Sequence, residues 1–353
     1  MFVPDYNNIV KAAKNEKSAR IPLYEHIVSP SIMEEVQGKK FSGLAEGSYN
    51  DKKEFFRHHN QFFTDMGYDI VSWECSAGPV MPGSGSLGGH KEGVIQNQKD
   101  FDNYPWESVP DMYFERFGDY FRALSETMPE GVKGIGGVGN GVFECVQDIT
   151  GLENLSYIKA DNEELFRGLF QKVGDMLAAI WTRFLKEYGD IYCVCRFGDD
   201  LGFKSSTLIS TGDIRELVIP QYRRIISIIH KEGKPFVLHS CGCIFNVMED
   251  IIAAGIDAKH SNEDAISPYS RWIDDYGSRI GNFGGLDTDV LCDSSQVDLA
   301  AYTTGIFKLC EAKRQRSGKG QGVALGSGNS IPHYVSPQRY CQALDTIRTL
   351  RGE

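Results

Sequence analysis

Residues 233–266 read GKPFVLHSCGCIFNVMEDIIAAGIDAKHSNEDAI. Two short apolar segments stand out, KPFVLHS (234–240) and IDAKHS (256–261), and each runs out into chemically useful groups: His239 with Cys241, and His260 with Glu263. Working outward, the same order recurs along the chain: a short apolar segment, a break rich in Gly, Asp, Asn and Ser, then a longer amphipathic stretch. The other apolar segments are YDIVSWE (68–74), VKGIGG (132–137), IYCVCRF (191–197), RIGNFGG (279–285) and GVALGS (322–327). That makes seven candidate strands. Between them lie stretches such as ELFRGLFQKVGDMLAAIWTRFLKEY and VDLAAYTTGIFKLCEAKR, whose apolar residues recur at helical spacing. Alternating strands and helices imply a parallel sheet.

An open sheet and a closed barrel both fit that alternation, and the polar residues decide between them. Almost every candidate strand ends in groups that do chemistry: Glu74, Asn140, Asp199 with Asp200, His239 with Cys241, His260 with Glu263, Asp287, and Ser327 with Asn329. A barrel gathers all its strand C-termini around one mouth, whereas an open sheet concentrates function at one switch point. The expected fold is therefore α/β, a (β/α)8 TIM-type barrel over residues 61–353, with a helical N-terminal extension, 1–60, packed on it. The extension contains a short extended piece, RIPLYEHIV (20–28), bracketed by Pro22 and Pro30. An eighth strand is not evident; the stretch 75–131 either hides it or is an insertion. The run MPGSGSLGGH (81–90) follows the first strand, where a barrel places a lid or mouth loop.

Lys plus Arg number 37 against 48 Asp plus Glu, a net charge of −11, which argues against nucleic acid or an anionic membrane surface as partner. No apolar run approaches the roughly 18 residues that span a bilayer. The start, MFVPDYNNIVKAAKNEKS, lacks the apolar region of a signal peptide, so the cytoplasm is the expected compartment. Nine cysteines, an odd count in a large chain of that kind, read as core thiols or ligands rather than a disulfide framework. GIGGVG (134–139) fits the dinucleotide pattern G-x-G-x-x-G. The position 20 residues on falls in helical sequence near Asp161, so the run reads instead as a tight strand-to-helix turn.

HSCGC (239–243) carries the strongest chemical signal. On an extended chain residues i and i+2 point the same way, so His239 and Cys241 offer an imidazole and a thiol to one point, a pairing that suits zinc. Gly242 then turns the chain and sends Cys243 elsewhere. A third protein ligand is needed, and Glu263 at the next strand end is the first choice, with Glu144 as the other; a carboxylate at 263 that merely complements a helix dipole is the bland alternative. Asp199 and Asp200 are the catalytic candidates, one facing the mouth and the other capping the following segment. Trp73, Glu74, Asn140, Phe197, Ser327 and Asn329 are the candidate substrate-binding residues around that mouth.

At these residues the chain resembles the uroporphyrinogen decarboxylase superfamily over nearly its whole length: RIPLYEHI, FGDDLG, the stretch 233–266, GNFGGLDTDVL and ALGSGNSIPHYVSP follow its order and spacing. The resemblance implies a (β/α)8 barrel with its site at the C-terminal mouth. The superfamily holds tetrapyrrole decarboxylases and zinc-dependent methyltransferases that work with corrinoid proteins. The decarboxylases carry an Arg-Gln-Ala-Gly-Arg segment and a Phe-Ser-Asp-Ile motif, and this chain has RIPLYEHI and DIVSWECS in their place. His-x-Cys marks the methyltransferase branch and is present as His239 and Cys241. The further zinc cysteine usual near the last strand is replaced by Ser327 in GSGN, which turns attention to Glu263. The expected activity is zinc-dependent methyl transfer, O-demethylation included, between a small methylated donor or a thiol acceptor and a corrinoid protein. A cofactor-free decarboxylase and a non-catalytic binding protein of the same fold are the alternatives. Substrate, direction of transfer and oligomeric state are left open.

Overall fold

The computed structural model describes residues 2–89, 91–292 and 297–353. His90, the last residue of the run 81–90, lies outside them. Each of the seven apolar segments forms a strand: β1 (Ile70–Ser76), β2 (Lys133–Gly139), β3 (Tyr192–Gly198), β4 (Phe236–His239), β5 (Ala258–His260), β6 (Gly281–Leu286) and β7 (Val323–Ser327). All pair in parallel, in chain order. Helices cross between them on the outside, and the fold is a TIM-type α/β barrel. The longest helix, Glu163–Tyr188, shows why these sequences form helices: its buried residues include Leu165, Leu169, Val173, Leu177, Ile180 and Phe184, one stripe at spacings of three and four. Asn162 caps it by accepting a bond from the Leu165 amide at 3.0 Å.

The eighth place in the wall is taken from the N-terminal region. Leu23 bridges Leu325 of β7 in parallel, with the Tyr24 amide donating to Leu325 O at 3.0 Å and the Leu325 amide donating to Pro22 O at 2.9 Å. On its other side Ser72 of β1 donates through Oγ to His26 O at 2.5 Å. The extended piece 20–28 thus stands between β7 and β1. A Cβ on Gly326 would meet Tyr24 O at 1.6 Å, so glycine is what lets the two segments lie together. Beyond the last two residues of β1, the stretch 75–131 contributes no strand among its described residues; it forms the helices Gln98–Asn103 and Val109–Thr127 and short 3₁₀ turns. The possibility that it hides the eighth strand is corrected accordingly. Local pattern could not show this, because the segment is held by two isolated bridges to residues some three hundred positions away, Leu23 to Leu325 and Val28 to Ile331, and by a side-chain hydrogen bond from β1.

Two-residue periodicity sorts the side chains inside the barrel. One buried apolar cluster takes a residue from every strand, Ile70, Ile135, Val194, Val237, Ala258, Phe283 and Ala324, together with Tyr24 from the eighth place. Ile9, Ala12 and Ala13 of the helix Asn7–Ala13 complete it. Cβ atoms on Gly281 and Gly322 would meet Ala12 O at 2.4 and 2.2 Å, so that helix plugs the end where β6 and β7 begin. Two residues further along, four of the strands turn polar inside, at Ser72, Arg196, His239 and His260, with His26 beside them, while β2, β6 and β7 carry Gly137, Gly285 and Gly326. The apolar layer is a floor, and the chemistry sits on it. No helix among the described residues is long and apolar enough to cross a membrane.

Candidate metal centre at the barrel mouth

His239 is the last residue of β4 and His260 the last of β5; they are paired across the sheet and both face inward. Their rings meet through Nδ1, 2.8 Å apart, and His260 Nε2 lies 2.9 Å from the Ser327 carbonyl oxygen. A carbonyl only accepts, so His260 carries its proton on Nε2 and its Nδ1 holds a lone pair. His239 must then donate from Nδ1, which leaves the lone pair of its Nε2 free. Burial holds both imidazoles neutral, His239 well below its usual value and His260 down to about 3. The free Nε2 faces Cys241 Sγ at 3.3 Å and Asp200 Oδ1 at 3.8 Å.

Asp200, His239 and Cys241 therefore converge, with one ligating atom from each within 4.8 Å of the others. Zinc bonds of about 2.0–2.3 Å at tetrahedral angles put neighbouring ligand atoms roughly 3.3–3.8 Å apart. The two distances from Nε2 match that spacing, and the O, N and S donors suit a borderline cation, so the residues fit zinc. Burial and then the Asp200 charge push the Cys241 thiol up; a divalent cation is what would reverse this. Asn329 Nδ2 donates to the sulfur at 3.1 Å, and Ser261 Oγ lies 3.5 Å from it.

The carboxylates divide by what they accept. Asp200 takes the Cys241 amide at 2.8 Å, tying the β3 and β4 ends together. Asp199 takes the amides of Phe143 and Glu144 and the Tyr222 hydroxyl, and so holds the start of the helix Val142–Thr150. Glu263 accepts the Gly242 amide at 3.1 Å and steadies the turn at φ +78° that sends Cys243 away; it is not one of the three converging groups. Glu144 accepts from Asn140 Nδ2 at 2.7 Å and from the Asp200 amide at 3.2 Å, and burial, followed by the charges of Asp200 and Asp199, raises its pKa. Asn140 adopts φ 60° between that carboxyl and the Gly78 amide.

Of the remaining expected substrate-binding residues, Glu74 lies on the floor of the site in a buried ion pair with Arg196 at 2.7 Å. Trp73, one position along β1, points the other way and packs on Phe55, Phe56, His59 and Tyr120. Phe197 packs on Tyr222 and Phe236. Ser327 donates through Oγ to the buried Glu25, while Asn329 reaches both the thiol and a cavity of about 280 Å³ shared with Glu263, Asp287, Asp289 and Tyr334. The run 81–89 is tied down: the amides of Gly85 and Leu87 donate to Asp148 Oδ1 at 2.8 and 2.9 Å. Sequence reasoning passed over two residues. Arg196 was visible as the one charge in an apolar strand, whereas His26, stacked on His239 at 3.9 Å, is legible only once 20–28 is known to be in the wall.

Glu25 predicts a pH dependence. Burial raises its pKa from 4.5 to about 8, against hydrogen bonds from Ser327 and Tyr68 that lower it. The folded state then holds a proton that the unfolded chain has released, so the contribution to stability is full below about 4.5 and is lost as pH rises through about 8. Glu25→Gln keeps the shape without the titration. Urea midpoints of the variant should fall less than those of the wild type between about pH 5 and about pH 9; parallel slopes would count against a buried, protonated Glu25.

The family model for uroporphyrinogen decarboxylase (URO-D) matches residues 90–350. Among solved structures, a methyltransferase from Methanosarcina mazei is similar at a TM-score of 0.68 and 15% identity, over 98% of both chains. A β-1,4-mannanase from the sea hare Aplysia kurodai shares 10% identity over 96% of this chain and 94% of its own at a TM-score of 0.49. A glycoside hydrolase family 5 enzyme from Prevotella bryantii shares 10% over 98% and 99% at 0.45. The first shares the fold; the other two are too distant to bear on function. No curated protein matches the sequence.

Proposed function

The chain belongs to the uroporphyrinogen decarboxylase family, and from that premise we propose that it is a zinc-dependent methyltransferase of a corrinoid pathway, moving a methyl group between a small methylated molecule or thiol and a corrinoid protein. The observation that carries this reading is the convergence of Asp200, His239 and Cys241 at the ends of β3 and β4. These three residues would hold the metal. Bound there, zinc would supply Lewis-acid polarisation of a donor oxygen or hold an acceptor thiol as thiolate. The chain does the rest: the Ser327–His260 relay presents the His239 lone pair, Asn329 supplies a donor to sulfur, and Glu263 fixes the turn that aims Cys241. The like-folded Methanosarcina mazei protein is itself named a methyltransferase.

Two surface features support the substrate and partner. The cavity that Asn329 joins to the site is lined by Glu263, Asp287 and Asp289 and by no basic side chain, which disfavours a polycarboxylate such as uroporphyrinogen and with it the decarboxylase reading. Among the described residues, six of the nine exposed large hydrophobic side chains, Ile27, Leu87, Val94, Phe203, Val297 and Tyr334, sit on segments leaving the C-terminal ends of the strands. Exposed apolar groups on the segments at the site's end of the barrel suit a docked protein. The test is direct. Protein purified without added metal should carry about one zinc per chain and convert free cob(I)alamin to its methylated form, followed by absorbance, when given methoxylated small molecules or methylated thiols. Metal-free protein that releases carbon dioxide from uroporphyrinogen would overturn the reading.

A further inference from the structure

Beneath the Asp200–His239–Cys241 group lies a second cluster of ligating side chains. His26, His239 and His260 each offer a nitrogen within 4.8 Å of the other two, and all three residues are at least nine-tenths buried. His26 Nε2 faces Glu74 Oε1 at 3.7 Å, which leaves Nδ1 as the ligating atom, and Nδ1 is sealed from solvent without a hydrogen-bond partner. A buried nitrogen left in that state calls for an occupant, since desolvating it unpaired costs free energy.

We propose that His26, His239 and His260 form a second metal position, taking a borderline divalent cation such as Zn²⁺, Co²⁺ or Cu²⁺ in alternation with the Asp200–His239–Cys241 position. Three neutral imidazoles suit such cations and not Mg²⁺ or Ca²⁺, and the carboxylate of Glu74 behind His26 is the outer partner that ligating histidines favour. The alternation follows from His239, which has one lone pair to give. To ligate below, its proton moves from Nδ1 to Nε2, where Cys241 Sγ and Asp200 Oδ1 can accept its hydrogen bond. The bond to His260 Nδ1 opens, and His26 turns out of its stack on His239 so that the lone pairs converge. Against the metal-free site no proton is gained or lost; against the upper-bound state the Cys241 thiolate takes one proton back from solvent. A cation in the lower position therefore disarms the upper one.

The inference depends on the proposed methyltransferase site only through the shared His239, so the two can fail separately. Co²⁺ titrations of wild type, Cys241→Ser, His26→Gln and Cys241→Ser/His26→Gln distinguish them, with stoichiometry from equilibrium dialysis and absorbance reporting thiolate ligation. Wild type and His26→Gln should bind Co²⁺ alike, with the thiolate band. Cys241→Ser should still bind one Co²⁺ without that band, and adding His26→Gln should weaken its binding at least about tenfold. Equal affinity of Cys241→Ser and the double variant, no binding by Cys241→Ser, or loss of the band in His26→Gln would each overturn the proposal. Absence of the band in wild type would instead refute the upper site.

Discussion

His239→Ala is expected to leave the purified protein without metal and to lower methyl transfer on the order of a thousandfold or more. Two facts set this size. His239 is the residue common to both clusters of ligating groups, so its loss leaves no group of three among the described residues at either level. Metal ions contribute several kcal/mol of charge stabilisation to such reactions, at tenfold in rate for each 1.36 kcal/mol. The fold should survive, because removing a neutral imidazole strands the lone pair of His260 Nδ1 and takes one hydrogen-bond partner from the Cys241 thiol, which keeps Asn329 and Ser261. Metal analysis and the cobalamin assay, run beside Asp200→Asn and Glu263→Gln, check the assignment. Asp200→Asn should follow His239→Ala in losing metal, whereas Glu263→Gln, which touches the Gly242 amide and not the converging atoms, should keep most of it. The reverse order would make Glu263 the third ligand.

Arg196→Met should destabilise the fold by about 3–5 kcal/mol. Arg196 is fully buried, pairs with Glu74 through Nη2 at 2.7 Å and Nε at 2.9 Å, and reaches the Tyr24 hydroxyl and Ser72 Oγ through Nη1, each at 3.0 Å. Deleting the guanidinium leaves the Glu74 carboxylate at 7% exposure with no cation to compensate it. It also removes the donor that joins β1, β3 and the segment 20–28 inside the barrel. Breaking a buried pair on one side costs more than replacing both partners, so Arg196→Met/Glu74→Leu should recover much of the loss. Urea unfolding of the three proteins decides the matter. A single variant within about 1 kcal/mol of wild type would mean that water reaches Glu74 and that the floor of the site is not dry.

Much of the architecture was open to reading along the chain because it depends on local order. Each strand is short and largely apolar, each ends at or just before a glycine or a polar group, and each is followed by a helical stripe; those signals span ten to thirty residues and need no partner. His239 and Cys241 belong to the same class, since a two-residue spacing at a strand end settles their common direction. The division of Asp199 from Asp200 is similar, for adjacent residues on an extended chain must point apart.

What the chain order could not supply is everything carried by closure. The eighth place is filled by residues 20–28 against β7, across some three hundred residues of sequence, and no periodicity records such a pairing. From it follow the stacking of His26 on His239 and the burial of Glu25 behind Ser327. The third converging group was also a tertiary decision. Glu263 is nearer to Cys241 in sequence, 22 residues against 41 for Asp200, yet the parallel register lays Gly198 beside His239, and that alignment brings Asp200 to the metal-sized gap while the Gly242 turn takes up Glu263. Residue types and their spacing determined which chemistry is present, because side-chain direction on a strand is local. Which groups meet was decided by strand register and barrel closure, because those are set by hydrogen bonds between segments that the chain brings together only when it folds.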